Sequence, residues 1–195
     1  GPFVSVSLHM HITGLFNVYN TLAAIGAAHA EGVDTDVIDK AVQTFYSVPG
    51  RFELVEAGQD FAIVVDYSHT PDSLEKALTT ARAMKPNRII TVFGCGGDRD
   101  RTKRPIMGGI AAQYADIPIV TSDNPRSEDP EFIVSEVEGG VRAALKDGQR
   151  HEVIVDRRQA IYKAIEIAEP GDIVLIAGKG HETYQILKDG TIHFD

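Results

Sequence analysis

A doubly wound, mostly parallel α/β sheet is the architecture the sequence predicts, and three observations carry the prediction. Short apolar runs recur at 88–93, 117–121, 152–155 and 173–177 without polar alternation, as strands covered on both faces require. Between them lie amphipathic stretches, each long enough for one crossover helix. Glycine, arginine and acidic residues gather directly after the runs, where an open parallel sheet keeps its ligands.

In chain order, Val4, Val6, Leu8, Met10 and Ile12 alternate with Ser5, Ser7, His9 and His11, which predicts a half-buried strand. A strand seldom opens a fold without a partner, so a truncated chain is expected. Helices are predicted from Asn17 to about Ala30 and from Asp34 to Phe45, the second with Val37, Ala41, Val42 and Phe45 on one face. Pro49-Gly50 breaks the pattern, and a boundary there gives units of 1–49 and 50–195. Phe52–Glu56, Gly58 and Phe61–Val65 then read as strand, turn and strand.

Further helices are expected to start at Pro71, Pro105, Pro130 and near Arg158. Proline costs nothing at the first helical position, and Thr70 and Asp129 precede two of these prolines as N-caps. Leu74, Leu78 and Ala81 share one face, as do Ile161, Ala164, Ile165 and Ala168. The tail, Tyr184–Leu187 followed by Thr191–Phe194, reads as a hairpin turning on Asp189-Gly190.

Composition narrows the function. The 195 residues allow one domain with a sizeable core, or one domain and part of another. With 19 Lys and Arg against 28 Asp and Glu the net charge is −9, and the pI near 5.2 argues against nucleic acid as the partner. No apolar run approaches the ~18–20 residues a bilayer span needs, and no leader pattern is seen, so neither membrane insertion nor secretion is expected. A single cysteine, Cys95, excludes an internal disulfide framework and fits a reducing, cytoplasmic setting.

Five segments following the strands hold the candidate chemistry: 66–71, 94–100, 122–126, 156–158 and 178–182. Glycine lets backbone N–H groups approach an anion, arginine grips carboxylate or phosphate in a fork, and carboxylates pair with ammonium groups or hydroxyls. Each segment also has an ordinary reading. Gly94-x-Gly96-Gly97 lacks the full dinucleotide spacing and better suits a tight turn. Asp123-Asn124-Pro125-Arg126 is also a turn sequence, and His69 and His181 fit structural hydrogen-bonding roles. Cys95 reads as a small packing residue. No zinc-type spacing and no G-x-S-x-G elbow is present.

Six markers stand in order through nearly the whole sequence: 14–20 (Gly-Leu-Phe-Asn-Val-Tyr-Asn), 50–53 (Gly-Arg-Phe-Glu), 66–72 (Asp-Tyr-Ser-His-Thr-Pro-Asp), 94–100 (Gly-Cys-Gly-Gly-Asp-Arg-Asp), 123–126 (Asp-Asn-Pro-Arg) and 178–182 (Gly-Lys-Gly-His-Glu). Together they resemble the carboxy-terminal part of the Mur ligase family, closest to its diaminopimelate-adding members. Ser68 stands where the family has alanine. The resemblance implies a Rossmann-like C-terminal domain at 50–195, preceded by the end of a central ATP-binding domain at 1–49. It implies a cytoplasmic step of peptidoglycan synthesis, in which ATP phosphorylates the D-glutamyl carboxylate of UDP-MurNAc-L-Ala-D-Glu and an amine of meso-diaminopimelate attacks the acyl phosphate.

By the same resemblance Arg99, Asp123, Asn124, Pro125, Arg126, Gly178 and Glu182 form the diaminopimelate site, Asn20 meets adenine, Arg51 the phosphates and Asp66 the ribose hydroxyls, with Tyr67 and His69 nearby. Relatives that add lysine differ at Arg126. ATP and Mg²⁺ would be held mainly by a central domain outside this sequence, together with a carbamylated lysine, so no metal ligand is assigned here. With no G-x-x-x-x-G-K-[ST] loop, the chain alone is expected to be catalytically inert. Two alternatives stay open: a lysine-adding or folylpolyglutamate-type ligase, and a noncatalytic module holding a dinucleotide on the Gly94 loop.

Overall fold

The computed structural model describes residues 9–12 and 14–195. They divide into two compact units, one ending at Val48 and the other spanning 49–195. The first unit contains α1 (Leu15–Ala30) and α2 (Thr35–Gln43). Asp34 caps α2 by accepting from the Asp36 N–H at 2.8 Å. The helix stops at Gln43, where the Thr44 hydroxyl donates to the Lys40 carbonyl, so Phe45 lies past its end and not on the predicted face. Ile38 is the side chain α2 buries, whereas Val37 and Phe45 are exposed. Of the predicted first strand, Val4, Val6 and Leu8 lie outside the described residues, and 9–12 have no regular structure.

The second unit is built on a six-stranded sheet of β1 (Glu53–Val55), β2 (Ala62–Asp66), β3 (Ile89–Phe93), β4 (Ile117–Val120), β5 (Glu152–Val153) and β6 (Ile173–Ala177). Its strand order is β1-β2-β6-β3-β4-β5, antiparallel only at β1. Crossovers run through α3 (Pro71–Ala83), α4 (Lys103–Tyr114), α5 (Pro130–Ala144) and α6 (Arg157–Glu166). The chain passes from β2 to β3, steps outward to β5, and returns through α6 to slot β6 between β2 and β3. A two-stranded hairpin, β7 (Tyr184–Leu187) and β8 (Gly190–His193), follows.

Side-chain alternation explains the layers. Ile90, Val92, Ile119 and Val174 form a core with Ala160 and Ala164 of α6. Their strand neighbours Ile89, Phe93 and Leu175, also buried, point to the opposite face, where α3, α4 and α5 lie side by side. Every residue of β3 is buried, as its unbroken apolar run requires.

Thr70 and Ser73 form a reciprocal capping box at the start of α3, with Pro71 at the first helical position. Asp129 and Asp156 cap α5 and α6. Two predicted details differ. α4 starts at Lys103, not Pro105, because the Asp100 carboxylate accepts from the Thr102 N–H and hydroxyl and begins the turn early. Pro105 still falls in the first turn, where its missing N–H would have no acceptor within the helix. The hairpin turns on Lys188-Asp189, because Gly190, at φ 144°, already pairs with Leu187. No helix among the described residues is long and apolar enough to cross a membrane.

Candidate functional site

Register brings the segments after β2, β6, β3 and β4 to one rim. Asp66 pairs with Ala177 and Phe93 with Val120, so four strands end almost level. A hollow of about 550 Å³ opens above them, lined by Tyr67, His69, Gly96, Arg99, Asp123, Asn124, Arg126, Gly178 and Glu182, among others. Six of the seven residues expected to form an amino-acid site thus share one cavity. Pro125 does not line it. Its carbonyl accepts from the Glu128 N–H, and it shapes the turn that carries Arg126.

The loop from 123 to 127 is fixed from three sides. Gly97 N–H donates to the Asn124 carbonyl at 2.8 Å, and Arg126 N–H donates to Ile186 of β7 at 3.1 Å. Asp98 accepts from the Ser127 N–H and hydroxyl, and that hydroxyl holds its carboxyl below the usual range. Asp98 and Arg126 both occupy the left-handed backbone region, at φ 53° each, which non-glycine residues seldom adopt without such ties. The Arg126 Nη1 donates to the carbonyls of Gly97 at 2.9 Å and Asn124 at 3.3 Å, which orients the guanidinium at the cavity wall. Arg99 is more exposed, its Nη1 donating to the Asp98 carbonyl.

Beneath the loops lies Arg104, fully buried, its fork closed on Glu128 at 2.8 Å and Glu136 at 2.6 Å. Burial works against its charge, and the two glutamates overcome that to raise its pKa. Glu128 also accepts from the Asp98 N–H at 2.6 Å, so one buried cation ties both arginine-bearing loops to α4 and α5. Sequence reasoning passed over Arg104, which reads as an ordinary polar residue of a helix start.

Two carboxylates of the hollow, Asp123 and Glu182, belong to a charge cluster with the buried cations Lys179 and Arg157. Lys179 Nζ donates to Asn124 Oδ1 at 2.8 Å and lies 3.3 Å from both Asp123 and Glu182. Arg157 is buried beside them and donates to the Ala177 carbonyl at 2.7 Å. Burial lowers its pKa, against the pull of Asp123 and Glu182. Two carboxylates therefore face two internal cations. Among the residues lining the hollow, Arg99, Lys103 and Arg126 stand with Asp100, Asp123 and Glu182, three cations and three carboxylates.

The neighbouring wall is aromatic. The Tyr67 hydroxyl donates to Glu182 Oε1 at 3.3 Å, and burial, followed by the Glu182 charge, raises its pKa. Arg51 lies over the Tyr67 ring at 4.4 Å, with His69 and His181 against the same ring. Asp66 does not line the hollow. It accepts from the Phe52 N–H at 2.8 Å and from the Ser68 hydroxyl, and so braces the 50–52 turn. Asn20 belongs to the first unit, on α1, where its amide donates to Asn17. Among the described residues no three His, Cys, Asp or Glu side chains are grouped to hold a metal ion.

The glycines after β3 have an internal reason. A Cβ on Gly94 would overlap the Thr121 carbonyl, and one on Gly97 the Pro125 carbonyl. With the Gly97 N–H donating to Asn124, the loop is packed against its neighbour at Gly94 and Gly97. Cys95 is buried, and burial pushes its thiol up to about 12, in keeping with a packing role.

The sheet order and the rim of strand-end loops define a Rossmann-like α/β domain with a polar ligand hollow. Residues 50–180 match the family model described as Mur ligase, glutamate ligase domain, and the chain belongs to the Mur ligase family. It is 55% identical over 191 residues to the UDP-N-acetylmuramoyl-L-alanyl-D-glutamate–2,6-diaminopimelate ligase of Syntrophomonas wolfei, and 52% identical over 194 residues to that of Geobacillus kaustophilus. These alignments cover 98% and 100% of this chain and 39% of each relative, so the chain spans well under half the length of either. A solved structure of a ligase of that name superposes with a TM-score of 0.72 at 43% identity, over 96% of this chain and 38% of the other. The fold extends to the UDP-N-acetylmuramate-alanine ligase of Thermotoga maritima, at 20% identity and a TM-score of 0.66, over 89% of this chain and 36% of that one.

Proposed function

We propose that the chain is the amino-acid-receiving part of an ATP-dependent ligase that joins meso-diaminopimelate to UDP-N-acetylmuramoyl-L-alanyl-D-glutamate. The observation that carries the reading is the single hollow shared by Arg99, Arg126, Asn124, Asp123 and Glu182. Diaminopimelate bears a carboxylate and an ammonium group at each end. The cavity answers with the guanidinium groups of Arg99 and Arg126 and the carboxylates of Asp123 and Glu182 in its lining. Arg126 would meet the distal carboxylate, which lysine lacks. The names of the 55% and 52% identical relatives support the same substrate.

ATP would supply the phosphoryl group that activates the acceptor carboxylate. Of this chain's residues, Arg51, Tyr67 and His69, clustered beside Glu182, and Asn20 on α1 would be its contacts, and Asp66 would add to the two bonds it already accepts. The arginine suits phosphate oxygens as a forked, permanently charged donor. Mg²⁺ and the nucleotide sugar would rest on residues outside this chain. What the chain's own groups do is hold the amino acid and orient its amine. The packed Gly94 loop disfavours the dinucleotide-binding alternative.

Equilibrium dialysis of labelled diaminopimelate, lysine and NAD against the chain tests the reading. Binding of diaminopimelate in clear preference to lysine, with no retention of NAD, is expected. Equal retention of diaminopimelate and lysine would overturn it.

A further inference from the structure

The charge cluster that includes Asp123 and Glu182 contains a residue with no assigned role. Lys179 is buried between Gly178 and Gly180, and every acceptor within its reach belongs to the candidate site: Asn124 Oδ1 at 2.8 Å, Glu182 Oε2 at 3.3 Å and Asp123 Oδ1 at 3.3 Å. A buried ammonium group keeps its charge only when paired and hydrogen-bonded, so these contacts are required. They also sort the partner atoms. Asn124 Oδ1 receives both Lys179 Nζ and the Ile186 N–H at 2.9 Å, which forces the amide Nδ2 toward Glu182 Oε2, 3.1 Å away. Glu182 Oε2 is thereby engaged by Asn124 and Lys179 together. Among the described residues its other oxygen, Oε1, accepts only from the Tyr67 hydroxyl, at 3.3 Å, on the aromatic wall of the cavity.

We infer that Lys179 is a positioning residue for amino-acid recognition: it ties down Glu182 Oε2 and the Asn124 amide so that Glu182 Oε1 is presented to an ammonium group of the ligand. The inference rests on the diaminopimelate reading and adds a division of labour to it. Arg126 selects the carboxylate, and the Lys179-Asn124-Glu182 triad fixes the acceptor for an amine. Without Lys179 the Glu182 side chain would turn freely between ligand, Tyr67 and Asn124, and two carboxylates would face Arg157 alone.

The test is calorimetric titration of diaminopimelate and lysine into the 195-residue chain and its Lys179→Met and Lys179→Gln variants, with melting curves for each. Loss of charge-assisted hydrogen bonds at the acceptor predicts roughly 10- to 100-fold weaker diaminopimelate binding for Lys179→Met. Lys179→Gln, which keeps a neutral donor, should lose less. A wild-type chain that does not prefer diaminopimelate to lysine overturns the functional reading and this inference with it. A wild-type chain that does, beside a folded Lys179→Met with unchanged affinity, overturns the role of Lys179 alone. Should both variants fail to fold, the Lys179 ammonium resonance of ¹⁵N-lysine-labelled wild-type chain decides: a shift on saturation with diaminopimelate supports the inference, and an unmoved signal overturns it.

Discussion

Arg126 concentrates the residue-scale argument, because its backbone strain and its charge serve one end. Held at φ 53° by Ile186, Gly97 and the Asp98–Ser127 tie, it brings its guanidinium to the cavity wall with Nη1 already spent on two carbonyls. Arg126→Ala should therefore weaken diaminopimelate by roughly 10- to 100-fold and leave lysine nearly unchanged, as competition dialysis would record. A parallel loss of both ligands would place the distal carboxylate elsewhere. Cys95 offers a simpler check. Its thiol, pushed up to about 12 by burial, should resist alkylation in the native chain and react fully once the chain is unfolded. The membership of the hollow was partly legible at this scale, because Arg99, Asp123, Asn124, Arg126, Gly178 and Glu182 lie in the glycine- and charge-rich segments that follow strands. Arg104 was not, and Lys179 and Arg157, though inside marked segments, gave no sign of a role, because a buried cation looks like a surface one in sequence, and only tertiary contacts with Glu128, Glu182 and the Ala177 carbonyl distinguish them.

Between elements, the pair α4 and α5 controls where the two arginine loops stand. The helices approach so closely at Gly108 and Gly140 that a Cβ on the first would overlap the Val137 carbonyl and one on the second the Pro105 carbonyl. Gly140→Ala should cost about 1–3 kcal/mol or more in denaturant unfolding, since backbone on either side cannot yield without moving a helix. A substitution at Gly139, which has open space around it, should show only the small change expected of a helix surface. The buried Arg104 clamp completes the contact and gives it a pH dependence. Hydrogen bonds from Arg104 hold Glu128 below the ordinary glutamate range, and those from Arg101 and Arg104 do the same for Glu136. Depressed carboxyl pKa values mean that the clamp's contribution is complete above the ordinary glutamate range and is lost as pH falls through the lowered values. Melting temperature should drop on the acid side for the wild-type chain, and Glu128→Gln should flatten that limb while lowering stability at neutral pH. The strand and helix pattern was readable because apolar runs and caps are local signals. Where α4 begins was not, since Asp100 reaches Thr102 ahead of the proline that marked the start.

At the scale of the whole molecule, the two units differ in how much their sequences determine. Residues 49–195 form a closed unit with core on both faces of a sheet and a complete rim of strand-end loops. In the first unit α1 leaves Leu15, Tyr19 and Leu22 more than half exposed, and period-3.6 reasoning places a face without saying what meets it. The same asymmetry governs activity. On the proposed reading, amino-acid recognition would rest on the hollow of the second unit, whereas phosphoryl transfer needs groups that neutralise charge on the nucleotide's terminal phosphates. The sequence holds no G-x-x-x-x-G-K-[ST] loop, and the chain spans 39% of the length of either diaminopimelate ligase relative. The 195-residue chain should therefore retain diaminopimelate in dialysis yet release no ADP when ATP, Mg²⁺, diaminopimelate and the nucleotide dipeptide are supplied together. A coupled assay reads the second half directly. Diaminopimelate-dependent ADP release would mean that the chain assembles a phosphate site from residues such as Arg51 and His69 without a P-loop, and the division of labour between the units would have to be redrawn.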